Sequence, residues 1–204
     1  MIDTAVTLRP GTVTCVDEFL DADECALIGD DLRFTYWRPS SVLRRDAEGR
    51  RFTGLSIDRT SSTTDETWLS DEARELLRRV EARLAADFGV PADRFEPWQI
   101  VRYRAGERFE EHHDSGFFSG DRWGERSVSV LIYLSDSQSG GSTWFPVLRE
   151  RFRPRAGRLL AWPNLLPDGS VDQRMRHTAR PARRVKTILT TWVREAPTTT
   201  NPAE

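Results

Sequence analysis

From Phe95 onward the chain is written in short runs rich in Val, Ile, Tyr and Trp, punctuated by Gly, Pro, Asp and Ser. Trp98 to Arg104, Ser127 to Leu134 and Thr187 to Val193 are the clearest of them, and runs of this length and texture form the strands of an all-β sandwich or barrel. No repeating β-α alternation of the kind that builds a parallel doubly wound sheet interrupts them. Two helices stand ahead of these strands. Asp21 and Glu24 have capping-box spacing before a short amphipathic stretch through Leu32. Leu69, Ala73, Leu76, Leu77, Val80, Leu84 and Phe88 then recur at three- and four-residue steps between Ser70 and Gly89. A strand is expected at Thr12 to Val16, and the polar segment Arg44 to Asp65 reads as a hairpin or mobile loop. The expected fold is mostly β with flanking helices, a double-sheet jelly roll of cupin-like form. One domain covers 1–194, with helical support at about 17–90 and the jelly-roll core at about 95–194, and 195–204 is expected to be a disordered tail.

Composition narrows the function. The 204 residues carry 30 basic and 32 acidic side chains, a net charge of -2, so no global positive field gathers a phosphate backbone and nucleic acid is not the expected partner. No apolar run approaches the roughly 20 residues of a membrane span, and Met1 to Pro10 lacks the n- and h-regions of a secretory leader. Cys15 and Cys25 have no zinc spacing and fit a reduced compartment, so the expected location is cytoplasmic. Among the basic residues 29 are arginine and one, Lys186, is lysine; the histidines are His112, His113 and His177.

The chemistry gathers at those four positions. His112 and Asp114 stand two apart, and in a strand residues i and i+2 share a face about 7 Å apart, while His113 points the other way. With His177 from a distant strand they make two histidines and a carboxylate, the facial triad that leaves three metal positions open for iron(II) chemistry with oxygen and an organic co-substrate. An ordinary surface His-Asp pair is the competing reading of the local motif.

The ordered series Arg59-Thr60-Ser61-Ser62, Arg102-Tyr103-x-x-Gly106-x-x-Phe109-x-x-His112-x-Asp114, Gly140-Gly141-x-Thr143-x-Phe145-Pro146 and His177-x-x-x-Pro181 resembles the prolyl 4-hydroxylase-like branch of the iron(II)/2-oxoglutarate-dependent dioxygenases. The resemblance implies a double-stranded β-helix, iron held by His112, Asp114 and His177, and 2-oxoglutarate as co-substrate, with ascorbate an open accessory. It also implies hydroxylation of an unactivated C–H in an amino acid, peptidyl residue or related small metabolite, with release of succinate and CO2. The family anchors the distal carboxylate of 2-oxoglutarate on a lysine of the strand after the second histidine. Here Lys186 shares a strand face with Ile188, Thr190 and Trp192, as in that pattern, although it lies nine residues after His177 instead of ten and the usual glycine before it is missing. A one-residue deletion in the preceding loop keeps Lys186 inward, whereas a slip within the strand favours Arg184 or another arginine. Tyr103 and Thr190 are further candidates to touch the co-substrate. Asp114 favours hydroxylation over halogenation, which in this superfamily goes with a small residue at that position.

Partners expected are O2 and a small-molecule or peptide substrate, with monomer and homodimer both open. Ser115 to Gly124, with Phe117, Phe118 and Trp123, reads either as an aromatic flap over the metal face or as a turn capping the barrel end. The arginines at 44, 45, 50 and 51 either grip an acidic substrate or form a solvated hairpin. The alternatives on the same fold are a nucleic-acid-modifying dioxygenase, a cupin metalloenzyme without a 2-oxoacid, and a non-catalytic binding module.

Overall fold

The computed structural model describes residues 5–137 and 139–198. Its elements in chain order are β1 (Thr14–Val16), α1 (Ala22–Asp31), β2 (Arg38–Pro39), β3 (Val42–Arg45), β4 (Arg51–Gly54), β5 (Ser62–Asp65), α2 (Asp71–Phe88), β6 (Gln99–Tyr103), β7 (Phe109–His112), β8 (Arg126–Tyr133), β9 (Thr143–Phe145), β10 (Glu150–Phe152), β11 (Leu159–Pro163), β12 (His177–Ala179) and β13 (Lys186–Arg194). Both helices form where the sequence places them. Asp21 caps α1 in a reciprocal capping box with Glu24. Ser70 caps α2, which ends on Gly89 in the left-handed conformation that glycine adopts freely.

The strands assemble into a seven-stranded sheet of order β1-β11-β8-β13-β6-β5-β2 and a four-stranded sheet of order β10-β9-β12-β7, all pairs antiparallel. Strand periodicity of two sorts the side chains of the large sheet into two cores. Val128, Val130 and Ile132 of β8 and Leu189 and Val193 of β13 face outward onto Leu76, Val80 and Leu84 of α2. Leu131, Tyr133, Leu160, Trp162 and Ile188 face inward onto Phe145 and Ala179 of the small sheet. Sheets facing each other across an apolar layer are the two walls of a jelly roll, the double-stranded β-helix expected.

The expected order of helices first and strands afterwards is corrected at the N-terminal end. Five strands precede α2, and β5 belongs to the large sheet beside β6. Ser62–Asp65 carries no apolar pattern because its neighbours satisfy it by hydrogen bonds. Thr63 bonds to Ser40 at 2.5 Å and Thr64 to Thr35 at 2.7 Å. The hairpin forms as β3 and β4 over Val42 to Gly54, so it starts two residues ahead of the segment Arg44 to Asp65 expected to be a hairpin or loop and takes in only the first part of it. The expected tail is shortened as well. Glu195, Ala196 and Thr198 donate backbone hydrogen bonds to Glu125, Trp123 and Asp93, which fixes the chain to Thr198, while 199–204 lie outside the described residues. Cys15 and Cys25 are both free thiols.

Gly157 closes the loop between β10 and β11 at φ 76°, and a Cβ built there would lie 2.0 Å from the Leu20 carbonyl oxygen. Gly157→Ala therefore meets both backbone strain and a clash with main chain, and is expected to cost about 2–4 kcal/mol, read as a lowered midpoint in urea with an unchanged slope.

Candidate active site

His112 is the last residue of β7 and His177 the first of β12, and the antiparallel register sets them directly opposite each other. Opposed residues on one face bring their side chains together, and the two imidazoles lie 4.2 Å apart, centre to centre. Asp114 is placed by different means from those expected. The strand ends at His112, and a bend after it carries the carboxylate back to the same site. Its oxygens lie 3.8 Å from Nε2 of His112 and 3.8 Å from Nε2 of His177, and one donor atom from each residue falls within 4.8 Å of the others. His113 is outside this group and turns to Gln173 and Arg176.

Each donor is oriented from behind. Nδ1 of His112 faces the Glu110 carbonyl oxygen at 2.7 Å and Nδ1 of His177 that of Met175 at 3.0 Å; a carbonyl only accepts, so each Nδ1 carries the proton and each Nε2 presents a lone pair. Phe109 stacks on His112 at 3.6 Å, and Trp162 meets His177 edge-on at 5.0 Å. The buried Asn164 amide donates to Ser129 Oγ at 2.9 Å, and Ser129 donates to Asp114 Oδ2 at 2.6 Å. Burial, then the neighbouring His177, pushes the His112 pKa down to about 3. Burial alone would raise that of Asp114, but His177, His112, Arg126 and the Ser129 hydrogen bond outweigh it and hold the carboxyl at about 2. Neutral imidazole beside ionised carboxylate is the protonation state that a divalent cation requires of its ligands.

The three donors open into a cavity of about 590 Å³ whose far wall includes Lys186, Ile188, Thr190 and Trp192 from one face of β13 and Tyr103 from β6. The register thus keeps Lys186 inward and leaves Arg184 exposed. Lys186 is 0% exposed, donates to the Gly141 carbonyl at 2.9 Å and lies 4.2 Å from the centre of the Tyr103 ring; no carboxylate pairs with it among the described residues. Burial accordingly lowers its pKa to about 7. A buried cation without an anion fits a ligand that brings its own carboxylate. Burial raises the pKa of the Tyr103 phenol. Thr190 is less apt than expected, because its hydroxyl donates to the Val130 carbonyl at 2.9 Å and keeps no proton to offer a carboxylate.

Three site residues escape the sequence reading. Ser129 is a polar residue on the inward face of β8, directly across from Trp192, and its place in an otherwise apolar run was the available signal. Arg59 lies over the Phe109 ring at 4.8 Å, donates to Ser61 and Ser41, and holds no ion pair among the described residues. Arg126 is clamped by both oxygens of Glu96 at 2.6 and 2.7 Å, with its guanidinium 3.6 Å from the Trp192 ring. Three arginines of the hairpin are paired with carboxylates: Arg50 with Asp46 inside the hairpin, Arg44 with Asp58 just beyond it, and Arg51 with Asp121 of the loop 115–124.

Comparison with known proteins is decided by residues 98–194, which match the family model of the 2OG-Fe(II) oxygenase superfamily. Over that stretch the chain is similar to the superfamily. It is 29% identical over 197 residues to "Probable prolyl 4-hydroxylase 3" of Arabidopsis thaliana, covering 86% of this chain and 66% of that one. Among solved structures it is similar to a viral collagen prolyl hydroxylase from Paramecium Bursaria Chlorella virus-1 in a 2OG complex, with TM-score 0.62, 18% identity, and 89% and 95% of the two chains covered. It is also similar to a prolyl hydroxylase of Trichoplax adhaerens in complex with a hypoxia inducible factor peptide fragment, with TM-score 0.64, 18% identity, and 90% and 83% covered. These two likenesses establish the fold. The chain spans no more than 66% of the length of curated relatives such as these plant proteins.

Two outcomes follow from the site. Ser129→Ala frees the Asp114 carboxylate without touching a donor, and should weaken binding of Fe(II), or of Mn(II) as its stand-in, by about 10- to 100-fold in anaerobic calorimetry. Lys186 binds fewer protons folded than unfolded between about 7 and its ordinary 10.5, so stability rises with pH across that window. Ligand-free wild type should gain stability relative to Lys186→Met from pH 7 to 10 in denaturant titrations, and parallel curves would refute the assignment of a strained buried ammonium.

Proposed function

We propose that this protein is an iron(II)- and 2-oxoglutarate-dependent hydroxylase of peptidyl residues of the prolyl type. The observation that carries the reading is a single cavity combining the three donors of His112, Asp114 and His177 with Lys186, a buried cation that has no anion partner among the described residues. In this reading the two Nε2 atoms and the Asp114 carboxylate would hold the iron. Lys186 receives the distal carboxylate of 2-oxoglutarate, with Tyr103 beside it, and the incoming charge returns the lysine to its ammonium form. When bound, iron and 2-oxoglutarate supply the oxidising chemistry, in which O2 is consumed, 2-oxoglutarate becomes succinate and CO2, and one oxygen atom enters a substrate C–H bond.

The chain's own part is positioning and exclusion. The Glu110 and Met175 carbonyls keep both imidazoles in the metal-binding tautomer. Asn164 and Ser129 fix the carboxylate. Phe117 and Phe118, with Val42 and Thr53 of the hairpin, border the opening and narrow the route for water. Named relatives and structural neighbours are prolyl hydroxylases, and one of those structures contains a peptide fragment, which supports a peptide as substrate over a free amino acid.

Succinate release measured with Fe(II), O2 and panels of proline-containing peptides, free amino acids and carrier-bound residues tests the proposal. Peptide-dependent release with an added oxygen atom on the peptide is the expected result; turnover of free amino acids alone would move the substrate class. Asp114→Ala should abolish product. Lys186→Ala should raise the 2-oxoglutarate KM at least about 10-fold, with Arg184→Ala unchanged, and the reverse pattern would relocate the anchor.

A further inference from the structure

Arg194 is the last residue of β13, is 2% exposed, and does not line the cavity that holds the three donors and Lys186. Its guanidinium lies 4.2 Å from the centre of the Phe118 ring and 5.7 Å from that of Trp123, both in the loop 115–124. The Phe118 ring has two further guanidiniums within reach, Arg126 at 4.9 Å and Arg51 at 5.7 Å. Aromatic faces attract guanidinium groups, the more so when water is excluded, so the three arginines fix where this ring sits.

Two carboxylates complete the cluster. Glu96 accepts from Arg194 at 3.0 Å while held by both forks of Arg126. Asp121, in the loop, lies 3.4 Å from Nη2 of Arg194 and also accepts from Arg51 of β4 at 3.0 Å. The hairpin adds two bonds to the same loop, from Arg45 and Arg51 to the Phe117 carbonyl at 3.0 and 3.4 Å. One carboxylate thus joins the core strand, the loop and the hairpin. The loop itself is braced from within, because the Glu125 carboxylate accepts from the backbone of Gly116 at 3.0 Å and of Phe118 at 2.8 Å, and Asp121 and Gly124 continue the backbone bonding. A loop bonded in this way moves as a body, and its seat is the Phe118 and Asp121 cluster.

We propose that Arg194 is a positioning residue that seats the loop 115–124 over the pocket and, through the carboxylate of Asp121, couples that loop to the β3–β4 hairpin so that the two close on a peptide as one unit. The peptide part of this inference rests on the proposed hydroxylase function, whereas the coupling does not. Phe117 and Phe118 from the loop and Val42, Leu43 and Thr53 from the hairpin border the same opening, so a shift of either body changes the space in which the substrate chain lies. Lysine cannot replace Arg194, since a point charge cannot face two aromatic rings and reach two carboxylates together.

Amide hydrogen exchange of the full chain, read peptide by peptide, tests the coupling without needing turnover. Arg51→Ala changes one hairpin residue and removes its ion pair to Asp121, its bond to the Phe117 carbonyl and its contact with the Phe118 ring, and exchange in 116–124 should accelerate about five-fold along with that in 42–54, as expected for loss of an exposed ion pair and weak contacts from a local opening equilibrium. Asp121→Asn should accelerate both segments, and Arg194→Lys should do the same while the strands keep wild-type protection. Acceleration confined to 42–54 in Arg51→Ala, or a wild-type pattern in Arg194→Lys, overturns the proposal. In turnover, Arg51→Ala and Asp121→Asn should raise the peptide KM about 10-fold while anaerobic titration gives an unchanged 2-oxoglutarate affinity; an unchanged peptide KM overturns joint closure on substrate. If the wild type turns over no peptide, the proposed function fails, and the exchange pattern still decides whether Arg194 and Asp121 couple the two segments.

Discussion

The pairing of β13 between β6 and β8 is the constraint on which the rest of the molecule depends. A nine-residue strand in the middle of an antiparallel sheet cannot shift by one position without exchanging its faces. Leu189 and Val193 go to the helical side and anchor α2, while Lys186, Ile188, Thr190 and Trp192 go to the cavity. The same hydrogen-bond ladder therefore fixes the hydrophobic core and the aim of the one lysine. It also sets Ser129 opposite Trp192, and Ser129 in turn orients the carboxylate of the metal group.

Polar groups inside the barrel are organised in chains that end on backbone. Asn164 bonds Ser129, which bonds Asp114, and both imidazoles end on carbonyls. Each buried polar atom that is satisfied from behind leaves its functional face free, the condition for a preorganised donor set. Lys186 departs from this pattern, since its carbonyl partner offers no charge. The pocket thus keeps an electrostatic deficit at the end remote from the donors.

The sequence carried the parts of this arrangement that are local or periodic. Capping residues announced both helices, and strand parity put Lys186 and Trp192 on one face before any partner strand was known. The register of His112 against His177 was inaccessible because it depends on 64 intervening residues, although residue type and the resemblance singled out both. β5 was illegible because Ser-Thr-Thr-Asp has no apolar alternation and its burial is made good by hydroxyls of distant strands. The partners of Arg51 and Arg194 were hidden for the same reason, since a guanidinium reveals its charge in sequence but not the carboxylate it meets.

The solitary lysine has a consequence outside catalysis. Its ammonium is sealed in the cavity while the 29 other basic side chains are arginines, so the protein exposes no lysine amine to its surroundings. Reagents and enzymes that acylate lysine find their only side-chain target behind the substrate opening. Such labelling becomes a direct gauge of whether that cavity is filled, with the guanidinium-rich exterior as a silent background.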